Sequence, residues 1–144
     1  MSESASRIEL VDETFVAAAP AQVAAVLADP HEQQRWWPGW QLSVFMDRGV
    51  QGTRWTVHGR LDGLVVRGSS EVWLEPVLDG VVLHHYLRVS TDGSVARTAR
   101  AERRYVRRWK RVVFALKDRL EAGRSPGAPA VGSSTGTDLP TTPS

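Results

Sequence analysis

Residues 54–88 read RWTVHGRLDGLVVRGSSEVWLEPVLDGVVLHHYLR, and the reading of this stretch decides the fold. Asp-Gly occurs twice in it, at Asp62-Gly63 and Asp79-Gly80, each time between runs of alternating apolar and polar residues. Asp-Gly is favoured in two-residue hairpin turns because both residues tolerate positive φ. A turn at Asp62-Gly63 sets Leu61 opposite Leu64, Gly59 opposite Val66, Val57 opposite Gly68, Trp55 opposite Ser70 and Arg54 opposite Glu71. A turn at Asp79-Gly80 sets Val81 opposite Leu78, Leu74 opposite His85, Trp73 opposite Tyr86, Val72 opposite Leu87 and Glu71 opposite Arg88. Both turns sort the same residues. One face carries Trp55, Val57, Leu61, Leu64, Val66, Val72, Leu74, Val81, Leu83, Leu87 and Val89; the other carries residues such as Arg54, His58, Arg67, Glu71, Trp73, His84 and Arg88. A one-residue slip in either hairpin would mix the faces, so the pattern specifies the pairing. On the polar face Arg54, Glu71 and Arg88 are expected to form a ladder beside a Trp73–Tyr86 pair, an ordinary cross-strand arrangement or else a patch for a partner.

Working outward, IELVDETFV (residues 8–16) reads as a half-exposed strand. PAQVAAVLADP (20–30) is a short Ala-rich helix with Val23, Val26 and Leu27 on one side, and HEQQRWWPGW (31–40) adds a second helical turn closed by Pro38 and Gly39. QLSVFMD (41–47) alternates again, with Phe45 out of step. On the other flank the chain from Val95 has no Pro or Gly until Gly123. Tyr105, Trp109, Val112, Val113, Leu116 and Leu120 fall on one helical stripe, Gly123 is a stop signal, and a helix of about 28 residues spans roughly 40 Å, enough to cross the apolar sheet face. The prediction is an α+β fold: a curved antiparallel sheet of five to six strands wrapped on a long C-terminal helix, with two short helices after the first strand.

With 144 residues, 42% of them apolar and 24% charged, the chain has room for one domain. That domain is expected over residues 7–124, between a flexible segment 1–6 and a Pro/Gly/Ser/Thr-rich tail 125–144. The sequence has no cysteine, which excludes disulfides and thiolate metal sites and suits the cytoplasm. No apolar run approaches the roughly 18 residues of a membrane span, so no transmembrane segment is expected. Charge is uneven: residues 97–124 hold 11 basic and 3 acidic side chains against 7 and 12 in residues 1–96. That block reads as a solvated face before it reads as an anionic-surface site, and no nucleic acid is expected as partner.

Gly59 and Gly68 both point from adjacent strands toward the long helix, so side-chain volume is missing there and a gap or a close approach is expected. Around it the pairing places Trp55, Ser70 and His85, with Trp109 and Val113 reaching down from the helix. An apolar pocket with a few inward polar groups is the usual form of a small-molecule site; alternatively Trp55 and Trp109 fill the gap. His85 is the one ionisable side chain clearly on the apolar face, hence a candidate acid or base or else a neutral core histidine. Asp12 or Glu13 also reaches the interior, the strand pattern leaving open which. No phosphate loop, nucleophile elbow or metal-spaced cluster is present, and neither a metal nor a cofactor is expected.

The segments FVAAAPAQVAAVLADPHEQQRWWPGW, RGVQGTRWTVHG, SSEVWLEPVLDGVVLHHYLR and RRYVRRWKRVVFALKDRLE, in that order, resemble the START-like helix-grip superfamily (SRPBCC), and within it the small actinobacterial proteins labelled polyketide cyclase/dehydrase and lipid transport. The resemblance implies a hydrophobic cavity between sheet and long helix. Carried over by position, and with the two glycines, its lining would be Trp55, Val57, Gly59, Gly68, Ser70, Val72, Leu74, His85, Leu87, Trp109 and Val113. The superfamily usually has six or seven strands and this chain has five before the helix, which implies a smaller cavity, open at an edge or closed by the second subunit of a homodimer. The function expected first is non-catalytic binding of a small apolar or aromatic, lipid- or polyketide-like molecule. The alternatives are a cyclase or dehydratase in which His85 moves a proton, and an interaction module using the Arg-rich helix or the Trp73 face.

Overall fold

A computed structural model describes residues 6–122; residues 1–5 of the expected flexible segment, Gly123 and the expected tail lie outside them. The order is β1 (Ser6–Val16), α1 (Pro20–Leu27), α2 (Pro30–Trp36), β2 (Gln41–Asp47), a 3-10 turn (Gly49–Gln51), β3 (Gly52–Leu61), β4 (Leu64–Val77), β5 (Gly80–Thr91) and α3 (Val95–Leu120). The five strands form one antiparallel sheet in the order β1-β5-β4-β3-β2. The expected α+β architecture is therefore present, with five strands. Caps set the helix starts. The Asp29 carboxylate accepts from His31 N–H at 2.9 Å at α2, and the Ser94 hydroxyl accepts from Arg97 N–H at 3.2 Å at α3.

The first hairpin pairs as expected, from Leu61 opposite Leu64 to Arg54 opposite Glu71, and its turn residues Asp62 and Gly63 take φ of 49° and 79°. The second differs by two residues. Its loop is Leu78-Asp79, Gly80 pairs with Val77, Leu74 lies opposite Leu83, Trp73 opposite His84 and Glu71 opposite Tyr86. Gly80 is used as strand: a Cβ there would meet the Val16 carbonyl and come within 2.8 Å of the Phe15 ring in β1. The turn instead puts Leu78 at φ 51°, with its side chain 99% exposed. A two-residue shift preserves side-chain direction, so the expected faces survive: Val72, Leu74, Val81, Leu83, Leu87 and Val89 are all buried. The polar ladder is corrected. Arg54 pairs with Glu71 at 2.7 Å, whereas Arg88 reaches Glu9 at 3.6 Å.

Phe45 is out of step because β2 carries a bulge there: Val44 pairs with Trp55 and Met46 with Arg54, leaving Phe45 as the extra residue. In β1 it is Asp12 that faces inward, at 8% exposure, while Glu13 faces out and lies 3.3 Å from His84. The α3 stripe buries Thr98, Ala101, Tyr105, Trp109, Val113 and Leu116, with Val112 and Leu120 partly buried.

Candidate functional site

Three indoles from α2 and the loop after it enter the space between sheet and α3. Trp36, Trp37 and Trp40 are all buried. Trp37 is the centre of the group, its ring centroid 5.4 Å from Trp55, 5.6 Å from Trp36, 6.0 Å from His85 and 6.5 Å from Trp109. Trp40 stacks on Tyr105 at 5.9 Å and donates its indole N–H to the Arg60 carbonyl at 2.9 Å. The expected gap is thereby closed. A Cβ at Gly59 would sit 2.5 Å from Trp40 Cδ1, so that glycine is the seat of an indole. At Gly68 a Cβ would strike the Arg88 carbonyl and lie 2.8 Å from Val89 Cα, so there the missing side chain lets β5 curl against β4. Gly68→Ala must displace backbone; the expected loss is about 1–3 kcal/mol of unfolding free energy, read by urea denaturation, and an unchanged midpoint would contradict this packing.

The polar groups inside the aromatic cluster form a chain whose proton directions are determined. A carbonyl accepts only, so His85 Nδ1–H donates to the Glu71 carbonyl at 3.2 Å. His85 Nε2 is then an acceptor and receives a hydrogen bond from the Tyr105 hydroxyl at 2.9 Å, while Tyr105 Oη accepts the Trp37 indole N–H at 3.0 Å. His85 is fully buried and its ring stacks on Trp109 with centroids 3.9 Å apart. Burial pushes its pKa down to about 4, against the opposing pull of the Glu71 carbonyl and the Asp12 charge. Burial likewise pushes the Tyr105 hydroxyl up, against its Trp37 bond and the Arg108 charge. Both are neutral at pH 7, and both nitrogens of His85 are engaged.

Asp12 keeps its charge beside them. Burial would raise its pKa, but bonds from Lys110, from Trp109 N–H at 3.0 Å and from Thr14 O–H at 3.1 Å outweigh it and hold the carboxyl below its ordinary value. Two interior groups, the Ser70 hydroxyl and the Trp36 indole N–H, have no hydrogen-bond partner among the described residues.

A cleft of about 420 Å³ opens at the rim of the grip, between α1, the 3-10 turn and the adjoining parts of β2, β3 and β4. Ala21, Ala24, Ala25 and Ala28 line one side, Trp55, Val72 and Leu74 the other, with Gln33, Asp47 and Thr53 among its polar groups. Of the residues expected to line a pocket, Trp55, Val72 and Leu74 line this cleft. Val57, Gly59, Gly68, Ser70, His85, Leu87, Trp109 and Val113 do not. The alanines are not among the residues expected to line a pocket, although their signal is in the sequence: spacing i, i+3, i+4, i+7 puts them on one helix face, and small side chains leave room above the sheet. Among the described residues no group of three His, Asp or Glu side chains is placed to hold a metal ion, and no helix is long and apolar enough to cross a membrane.

A five-stranded antiparallel sheet closed on a long C-terminal helix, with two short helices after the first strand, is a helix-grip fold. One solved structure shares that fold. An uncharacterized protein from Rhizobium leguminosarum superposes with a TM-score of 0.62 at 14% identity, over 81% of this chain and 97% of that one. A START superfamily protein from Mycobacterium smegmatis gives a TM-score of 0.49 at 9% identity, over 78% of this chain and 98% of that one. Likeness at such identities is one of fold. No protein-family model and no curated protein matches the chain.

Proposed function

We propose that the protein binds a small apolar or aromatic molecule, lipid- or polyketide-like in character, in the cleft between α1 and the β3–β4 sheet. The observation that carries this reading is the cleft itself, about 420 Å³ with an alanine wall facing Trp55, Val72 and Leu74. That volume is toward the lower end of the usual range of about 300–1,000 Å³ for ligand pockets, so the ligand is a one- or two-ring aromatic or a short acyl chain. Trp55 supplies a flat surface for stacking, while Gln33, Asp47 and Thr53 offer polar groups for a ligand's one polar end. The proposal assigns no catalytic step. His85 is enclosed by Trp37, Trp109 and Tyr105, and a proton-transfer reaction there requires a substrate to displace one of them.

The uncharged two-ring fluorophore 2-naphthol tests the assignment. Saturable one-to-one binding is expected, competed by short-chain fatty acids. Ala25 is exposed on α1 and lines the cleft, so Ala25→Trp should weaken binding by about tenfold or more while changing the unfolding free energy by only about 0.5 kcal/mol, the helix-propensity cost. Equal affinity in the variant, or no saturable binding by the parent protein, would remove this site from consideration.

A further inference from the structure

β1 is an edge strand: among the described residues it pairs with β5 alone. In an antiparallel strand the N–H and C=O of alternate residues point to opposite sides, and two bonds show which residues face the free side. Lys117 Nζ donates to the Phe15 carbonyl at 2.8 Å, and the Ala17 N–H donates to the Glu121 carboxylate at 2.7 Å, both from α3. The β1–β5 pairing is continuous from Ser6 to Val16, so Glu13, Val11, Glu9 and Arg7 share the free direction of Phe15. The C-terminal end of this edge is thus covered by α3 side chains, whereas no hydrogen bond to the outward groups of Arg7–Glu13 exists among the described residues.

Along that uncovered stretch runs a groove of about 530 Å³, lined by Glu9, Leu10, Val11, Glu102, Arg103, Val106 and Arg107. Leu10 and Val106 make its apolar floor, and Val11 is 66% exposed. Arg103 and Arg107 are exposed, and neither has a carboxylate within ion-pair distance among the described residues, unlike Arg104 with Asp62 and Arg119 with Glu32. Glu9 and Glu13 are directed elsewhere, to Arg88 and His84 on the outer face. A strand laid along the edge would present alternate side chains to α3 and to the outer face. Those toward α3 meet Arg103 and Arg107; those on the other side meet Val11.

We propose that this groove takes an extended segment of a partner protein that alternates acidic and apolar residues, bound as a sixth strand along the Arg7–Glu13 edge. Backbone hydrogen bonds supply affinity, and the arginines select acidic side chains on the helix side. A second copy fits less well. Two β1 edges paired about a two-fold axis bring two strongly basic helices together, and like charges oppose that contact.

A rhodamine-labelled heptapeptide of alternating Glu and Val, followed by fluorescence anisotropy, is the test. It should bind the full chain saturably and more weakly as salt rises, and an alternating Lys-Val peptide should not bind. Val11→Pro removes an N–H that faces the free side and spares the β5 ladder; it should weaken binding by about tenfold or more. Arg103→Glu with Arg107→Glu, on an exposed helix face that does not threaten folding, should do the same. Three outcomes would overturn the proposal: peptide binding unchanged in both variants, binding to phosphatidylserine vesicles but not to the peptide, or a dimer in sedimentation that Val11→Pro abolishes.

Discussion

Trp37→Ala is expected to destabilise the protein by about 3–5 kcal/mol, the usual range for deleting a large aromatic from a packed core. Trp37 is fully buried and touches indoles from three directions, Trp36, Trp55 and Trp109. Its loss therefore removes transfer free energy and leaves a cavity that rigid neighbours cannot collapse into. It also deprives the Tyr105 hydroxyl of the N–H it accepts at 3.0 Å. Guanidinium denaturation should show a lowered midpoint at unchanged m-value. Free indole added to the variant should restore part of the loss by occupying the vacated volume, since a ligand that binds only the folded state stabilises it. A loss below about 1 kcal/mol would mean that Trp37 is not the filling of the grip.

The second large effect is on acid stability. His85 has its folded pKa lowered to about 4 from an ordinary 6.5. Between these values the unfolded chain binds a proton that the folded chain refuses, so unfolding free energy rises with pH across that window and falls as the solution is acidified through it. At 1.36 kcal/mol per pH unit the loss on going from pH 6.5 to 4 is about 3 kcal/mol. Asp12 and Glu71, whose folded pKa values are lowered, lose their contributions with the same sign, but only at pH values below their ordinary range. His85→Gln isolates the histidine, because a glutamine amide donates to the Glu71 carbonyl and accepts from Tyr105 as the neutral imidazole does. The variant should show a flattened profile between pH 4 and 6.5 and remain close to the parent above pH 7. An equal slope in both proteins would show that some other group titrates there.

The sheet faces and the long helix were legible because they follow from local rules of period two and period 3.6, which depend on few distant contacts. The second hairpin was misplaced by two residues because Asp79-Gly80 meets the turn preference, whereas what places Gly80 is the ring of Phe15 on a strand distant in sequence. The interior stays open in the sequence for the same reason. Two glycines facing inward announce missing volume, but whether it stays empty depends on where Trp37 and Trp40 go, and loop geometry after α2 decides that. His85 could be assigned to the apolar face from alternation alone. Its neutrality could not, since that depends on a carbonyl of β4 and on a hydroxyl of α3. The alanine face of α1 is written in the spacing of residues 21, 24, 25 and 28, but small residues look like helix propensity until a sheet lies beneath them.

The bonds that join β1 to α3 have a consequence for how the molecule is made. Trp109 to Asp12 closes across 97 residues, and Ala17 to Glu121 across 104. Contacts of such long sequence separation slow folding, because loop-closure entropy is lost before they form. On a ribosome the five strands emerge before α3, and until that helix clears the exit tunnel only α1, α2 and the loop after α2 can cover part of their apolar face. The nascent sheet must wait for the 26 residues of α3, and a chain truncated within α3 is expected to be a substrate for chaperones or proteases and not a smaller folded protein.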